Sequence, residues 1–379
     1  MFSPIRLKCF HLLLIPACIV ASHSQAETSV AQIPQASANS YPTADAGLGE
    51  KLYPNESMYA DKIAAEIEKS IRKQYVAGNA KRDAHPKAHG CVKAEFHVLA
   101  TVPSELAKGM FVPDKTYPAW IRFSNGDGDA TKADIKGDAR GMAIKILDVA
   151  GNKLLEDENQ ASTQDFIMIN HPVFFANEPK SYLKLVTNIN GNLLQKATIP
   201  FVLGFKGTKI ALQTTSSKIP NPLQTRYFSM VPYQLGTGVD RLAVKYSARS
   251  CSNITDPMPS NPENNYLRSA LKNTLQKGDA CMEFLVQPRT SNDMSVEDSM
   301  TEWDESKAPF YKVATIRIPK QEFDTPEQNN FCENLSFSPW HALAEHKPLG
   351  ATNRMRKVIY NHISRLRHEM NSADRQEPK

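Results

Sequence analysis

The sequence predicts an α+β fold: an antiparallel β-sheet or barrel with flanking helices and a last helix near the carboxyl end. Alternating apolar runs at 90–100, 117–124 and 142–149 follow one another without helices between them, which favours antiparallel pairing. Runs at 242–246, 281–287 and 313–318 have the same character. The stretch 354–370 instead places Met355, Val358, Ile359, Ile363, Leu366 and Met370 at helical intervals, so it reads as an amphipathic helix.

The chain opens with Arg6 and Lys8, an apolar run over residues 9–21, and then Ser24-Gln25-Ala26. This is the pattern of a secretory signal, with cleavage expected after Ala26. The run falls well short of the ~20 apolar residues of a spanning helix, and Pro16 breaks it. A lipid anchor on Cys18 is disfavoured by the same proline. Loss of residues 1–26 removes two positive charges and takes the formal net charge from +5 to +3. That balance, with no basic block interleaved with aromatics, excludes nucleic acid as an expected partner.

Export leaves Cys91, Cys251, Cys281 and Cys332 in an oxidising compartment, where one or two disulfides are expected and the pairing is open. Their spacing matches no zinc pattern. Residues 27–57, rich in Ser, Ala, Pro and Gly, read as an extended or mobile arm. One large domain is then expected over 58–370. It begins with a helix carrying Ile63, Ala64, Ile67 and Ile71 on one face and stopped by Gly78-Asn79. In the 90–100 strand Val92, Ala94, Phe96 and Val98 share one face, against Lys93, Glu95 and His97. Residues 181–204 and 264–275 read as helical, and the polar tail 371–379 as frayed.

Four places carry residues with chemistry. On the last helix Arg356 and Tyr360 lie four apart, hence on one face, with Arg367 further along the same stripe. A guanidinium beside a phenol favours the phenolate, and tyrosinate is one of the axial ligands of haem iron. Near the first helix, His85 sits between Ala84 and Pro86, which holds its backbone off the helical region and extended. A neutral imidazole there is suited to moving a proton. In Trp120-Ile121-Arg122-Phe123-Ser124, strand period puts Arg122 and Ser124 on the face opposite Phe123, and such an Arg is a natural carboxylate clamp. Asn170, at the end of an alternating run and ahead of Phe174 and Phe175, is placed to donate from its amide into a walled pocket.

Taken together, these sites resemble the haem catalases and the smaller catalase-related proteins, which include allene oxide synthases acting on fatty-acid hydroperoxides. The family's distal signature is similar to Arg82, His85, Lys87 and Gly90; its Arg-Phe-Ser strand to Arg122-Phe123-Ser124; its Asn-x-Pro-x-Phe-Phe to residues 170–175. The segment Gly137-Asp138-Ala139-Arg140-Gly141-Met142-Ala143 and Phe337-Ser338-Pro339 followed by Arg356 and Tyr360 complete the likeness, and the spacing from His85 through Arg122 to Arg140 runs without gaps.

The resemblance implies a catalase-type antiparallel β-barrel with a proximal helix and a b-type haem. It places Tyr360 on the iron with Arg356 beside it, His85 and Asn170 on the distal side, Ser124 supporting His85, and Arg82, Arg122 and Arg367 around the propionates. It implies peroxide as substrate and leaves a homo-oligomer open. The chain is short for a full catalase, with no wrapping segment and no further domain expected after the proximal helix.

Gly137, Ala84 and His171 depart from the family pattern around the pocket, and Met230 takes the place of a His that larger relatives direct to the haem edge. The leading expectation is an exported peroxide-decomposing haem enzyme. A fatty-acid hydroperoxide isomerase or dehydratase, and an envelope haem binder without turnover, are the rivals.

Overall fold

The computed structural model describes residues 40–378, so the expected signal, with Cys9 and Cys18, lies outside the described residues. Residues 40–378 form one unit. Helix α1 (Glu56–Gln74) buries Ala60, Ile63, Ala64, Ile67 and Ile71, the stripe its sequence spacing marks. It is followed by strands β1 (Ala88–Val98), β2 (Thr116–Asn125), β3 (Arg140–Ile146) and β4 (Gln164–Ile169). Three helices come next, α2 (Pro179–Ile189), α3 (Leu193–Ala197) and α4 (Ile199–Thr215). Strands β5 (Tyr227–Phe228), β6 (Tyr233–Leu235) and β7 (Leu242–Ser250), helix α5 (Tyr266–Lys277), and strands β8 (Ala280–Pro288) and β9 (Tyr311–Ile318) follow. Helices α6 (Pro326–Asn334) and α7 (Gly350–Asn371) end the fold.

All strand pairs are antiparallel. The order β5-β4-β3-β2-β1-β9-β8-β7, closed by pairing of β5 with β7, makes an eight-stranded barrel, with β6 added on the edge of β7. Closure leaves few free edges to pair with other chains. Val92, Ala94, Phe96 and Val98 point into the barrel, where Phe96, Phe111, Phe166, Phe284 and Tyr246 pack ring against ring. Phe123 joins this core. Arg122 and Ser124 must then face outward, so the functional side of β2 is the outer wall, where α1, α2 and α7 pack together.

The expected helix over 181–204 is instead three helices. Asn192 starts α3 with a reciprocal cap to Gln195, and Gly204 (φ 64°) kinks α4. The arm is a second difference, because its described half, 40–57, is anchored. Arg354, fully buried on α7, donates to Glu50 (2.6 Å), Glu56 (2.7 Å) and Glu297 (2.9 Å). A buried guanidinium needs this much charge-assisted bonding to offset its desolvation. The tail expected to fray is also held, since Arg375 bonds Glu158 and the Gln376 N–H donates to the Asn334 carbonyl at 3.0 Å.

The cysteines pair as Cys91–Cys332 and Cys251–Cys281. The first pins α6 to the outer face of β1, 241 residues away in sequence. Replacing both Cys91 and Cys332 with Ser is expected to lower stability by about 2–5 kcal/mol, as for other native disulfides. An unchanged urea midpoint would count against that role.

Candidate functional site

His85 lies on the outer wall of the barrel. Its Nδ1 is 3.0 Å from Ser124 Oγ, and its ring packs on the bare backbone of Gly141. A Cβ at Gly141 would come within 2.5 Å of Nδ1, so only glycine fits beneath the imidazole. The backbone departs from expectation: His85 is left-handed, with φ 62°, rather than extended. A non-glycine residue in that region is strained and needs outside restraint. The restraint is visible, since the His85 N–H donates to the Gly126 carbonyl at 3.3 Å and Arg122 Nη2 donates to the His85 carbonyl at 2.8 Å.

Burial, followed by the positive charges of Arg122 and Arg356, pushes the His85 pKa down to about 3. The ring is therefore neutral at ordinary pH. Its Nδ1 is engaged by Ser124, which leaves Nε2 as the atom free to take and return a proton. The effect of Arg356 on His85 also places the two expected halves of the site within electrostatic reach of each other.

On α7, Arg356 Nη2 donates to Tyr360 Oη at 2.9 Å while its Nη1 donates to Asn353 Oδ1 at 3.1 Å. Burial works against the charge of Arg356, but the phenols of Tyr360, Tyr233 and Tyr182 more than offset it and raise the Arg356 pKa. The guanidinium remains charged, with Nη2 held against the Tyr360 oxygen.

Asn170 is held by the neighbouring strand: its Oδ1 accepts from the Arg140 N–H at 2.7 Å, and its Nδ2 donates to Ser217 Oγ at 2.8 Å. Gly141 pairs with both Ser124 and Ile169, so His85 and Asn170 are one strand apart on β2–β4. One amide N–H of Asn170 is spent on Ser217, a partner not visible in sequence, and the other stays available to a ligand.

Arg82, Arg122 and Arg367 converge, and a single carboxylate, Glu333 of α6, faces them. Arg82 meets Glu333 at 2.9 Å and Arg367 lies 3.8 Å from it. Burial and then the mutual repulsion with Arg82 push the pKa values of Arg122 and Arg367 down to about 9. Arg122 Nε is buried without a hydrogen-bond partner. Three guanidinium groups against one carboxylate, with an orphaned buried donor among them, make a site short of about two negative charges by pairing arithmetic.

The family model described as Catalase matches residues 66–195, which carry Arg82, His85, Arg122, Ser124 and Asn170. In sequence, the likeness to catalases covers this segment, about a third of the chain. Its fold is similar to a fungal catalase at 17% identity and TM-score 0.61, covering 86% of this chain and 66% of that one. It is also similar to catalase A from Saccharomyces cerevisiae, at 18% identity and TM-score 0.56, covering 82% and 67%. A bacterial catalase matches at 17% identity and TM-score 0.55, covering 89% and 66%. The chain thus spans about two thirds of the length of these structures. No curated protein matches it.

The other residues of the likeness have structural places. Lys87 Nζ donates to the carbonyls of Lys132 (2.7 Å) and Asn264 (2.9 Å) and meets Asp134 at 2.7 Å. His89 Nε2 contacts Asn125 Oδ1 at 2.8 Å, and Arg140 donates to the Asp134 carbonyl at 2.8 Å, so both belong to the same buried network. His171 turns back on its own loop, with Nδ1 3.0 Å from the Val173 carbonyl. Met230, also left-handed at φ 62°, packs with Ile169 and Phe174.

Asp83 was not anticipated. Burial raises its pKa to about 6, and its charge is felt by Tyr182 and Tyr75. Because the folded chain holds this proton more tightly than the unfolded chain, stability falls as pH rises from 3.8 to about 6 and the penalty is complete above that. Asp83→Asn is therefore expected to raise the melting temperature at pH 8 and leave it nearly unchanged at pH 3. Equal shifts at both pH values would contradict a raised Asp83 pKa.

Proposed function

We propose that this chain binds one b-type haem and decomposes peroxide with it, as an exported enzyme. The observation that carries the reading is the arginine cluster. A haem brings two propionates, the number of negative charges that Arg82, Arg122 and Arg367 need beyond Glu333. Tyr360, whose oxygen accepts from Arg356, would hold the iron. When bound, the haem supplies a redox-active metal for cleavage of the O–O bond.

The chain supplies the proton handling. His85 Nε2 takes the proton of one peroxide oxygen and returns it to the departing one, while Ser124 fixes the ring through Nδ1. The remaining amide N–H of Asn170 orients the peroxide. Arg122 holds the His85 backbone in its strained turn, so a residue expected only as a propionate clamp also positions the proton carrier. Two disulfides fit an oxidising compartment and support export.

The test is to assay the haem-loaded protein side by side with hydrogen peroxide and a fatty-acid hydroperoxide, recording the haem spectrum throughout. Oxygen release from hydrogen peroxide supports the proposal. Conversion of the fatty-acid hydroperoxide alone would transfer the site to isomerase or dehydratase chemistry, and no turnover of either would leave a haem binder.

A further inference from the structure

The α3–α4 segment exposes an apolar surface that the site does not use. Leu193 and Leu194 are 83% and 79% exposed, Phe201 and Phe205 are 87% and 90%, and Leu212 is 64%. Exposed leucines are ordinary, but two nearly bare phenylalanines beside three bare leucines on one pair of helices are not. The arrangement is sided. Gly207, Ile210 and Thr214 are buried, and a Cβ at Gly207 would come within 2.7 Å of the Phe175 carbonyl, so α4 lies close on the pocket loop. Phe205 and Leu212, seven apart, occupy the opposite face.

Within the segment the charge is one-signed. Between Glu178 and Asp240 the chain has no Asp or Glu but carries Lys180, Lys184, Lys196, Lys206, Lys209 and Lys218. All six lysines are exposed. Lys206 reaches Thr301 at 2.6 Å and lies 4.0 Å from Asp298. Bare Phe and Leu on a helical surface with lysines around them is the composition of a segment that lies in a membrane interface. Among the described residues no helix is long and apolar enough to cross a bilayer, which leaves shallow insertion. A second copy is a poor occupant, because an isologous contact would set this lysine-rich face against itself.

We infer that α3–α4 is a docking paddle for an anionic phospholipid surface, with Leu193, Leu194, Phe201, Phe205 and Leu212 entering the acyl boundary and the lysines meeting the headgroups. The paddle adjoins the candidate site, since Ser217, just past α4, holds Asn170. This inference does not depend on haem or on peroxide turnover.

The experiment is co-sedimentation of the full chain with vesicles of phosphatidylglycerol and phosphatidylcholine, and with phosphatidylcholine alone, at low and high salt. Binding is expected to the anionic vesicles, to weaken with salt, and to drop at least tenfold in Phe201→Ser/Phe205→Ser and in Lys196→Glu/Lys209→Glu, with the circular dichroism spectrum and melting temperature retained. Absence of binding to anionic vesicles would overturn it. So would binding that survives both double substitutions, which would assign it to the amino-terminal apolar run. A dimer in light scattering that Phe201→Ser/Phe205→Ser dissociates, without vesicle binding, would instead make the face a contact between copies.

Discussion

His85→Ala is expected to lower peroxide turnover by about 10² to 10⁴, the range contributed by general acid–base groups, while leaving haem bound. The imidazole is neutral because burial and then Arg122 and Arg356 hold its pKa down to about 3, and Ser124 holds the ring in place through Nδ1. Nothing ties His85 to the proximal side except electrostatics, so its removal spares the cofactor. The neighbouring histidines provide the contrast. His171→Ala should leave turnover within a few-fold, because that ring is bonded to its own loop. His89→Ala should act mainly on stability, because His89 is buried against Asn125 and close to Asp134. Undiminished turnover in His85→Ala would remove the proton-transfer role.

Tyr360→Phe should abolish haem retention and the ferric spectrum of phenolate ligation. Phenylalanine keeps the volume but removes the oxygen to which Arg356 Nη2 donates at 2.9 Å. It also leaves Arg356 buried with one fewer partner, which costs about 1–3 kcal/mol for an unsatisfied charged donor. A modest loss of stability should therefore accompany the loss of haem. Haem occupancy measured by absorbance per chain checks the first effect, and a urea titration of the haem-free proteins checks the second. Full occupancy with an unaltered spectrum would disprove the proximal assignment.

Local periodicity made much of this legible. The face of β1 carrying Val92, Ala94, Phe96 and Val98 and the stripe of α1 follow from the two simplest repeats, and the structure places both as expected. The i, i+4 relation of Arg356 and Tyr360 is of the same kind. What stayed hidden depends on partners distant in sequence. The Arg354 cluster joins α7 to Glu50, about three hundred positions earlier, so residues 40–57 looked like a loose arm. Glu333 sits on α6, a short helix with little apolar spacing, and its meaning appears only when Arg82 and Arg367 arrive beside it. The left-handed turn at His85 was obscured by Pro86, whose usual effect is to extend the residue before it.

The decisive experiment for a haem held between the Tyr360 oxygen and the His85 proton carrier is to load the purified full chain with haemin and record oxygen release from hydrogen peroxide per bound haem, with Tyr360→Phe and His85→Ala run in parallel. Saturable loading at one haem per chain and oxygen release are expected in the unmutated protein, loading without release in His85→Ala, and no loading in Tyr360→Phe. Loading that is indifferent to Tyr360, or oxygen release that is indifferent to His85, would contradict a haem held between them.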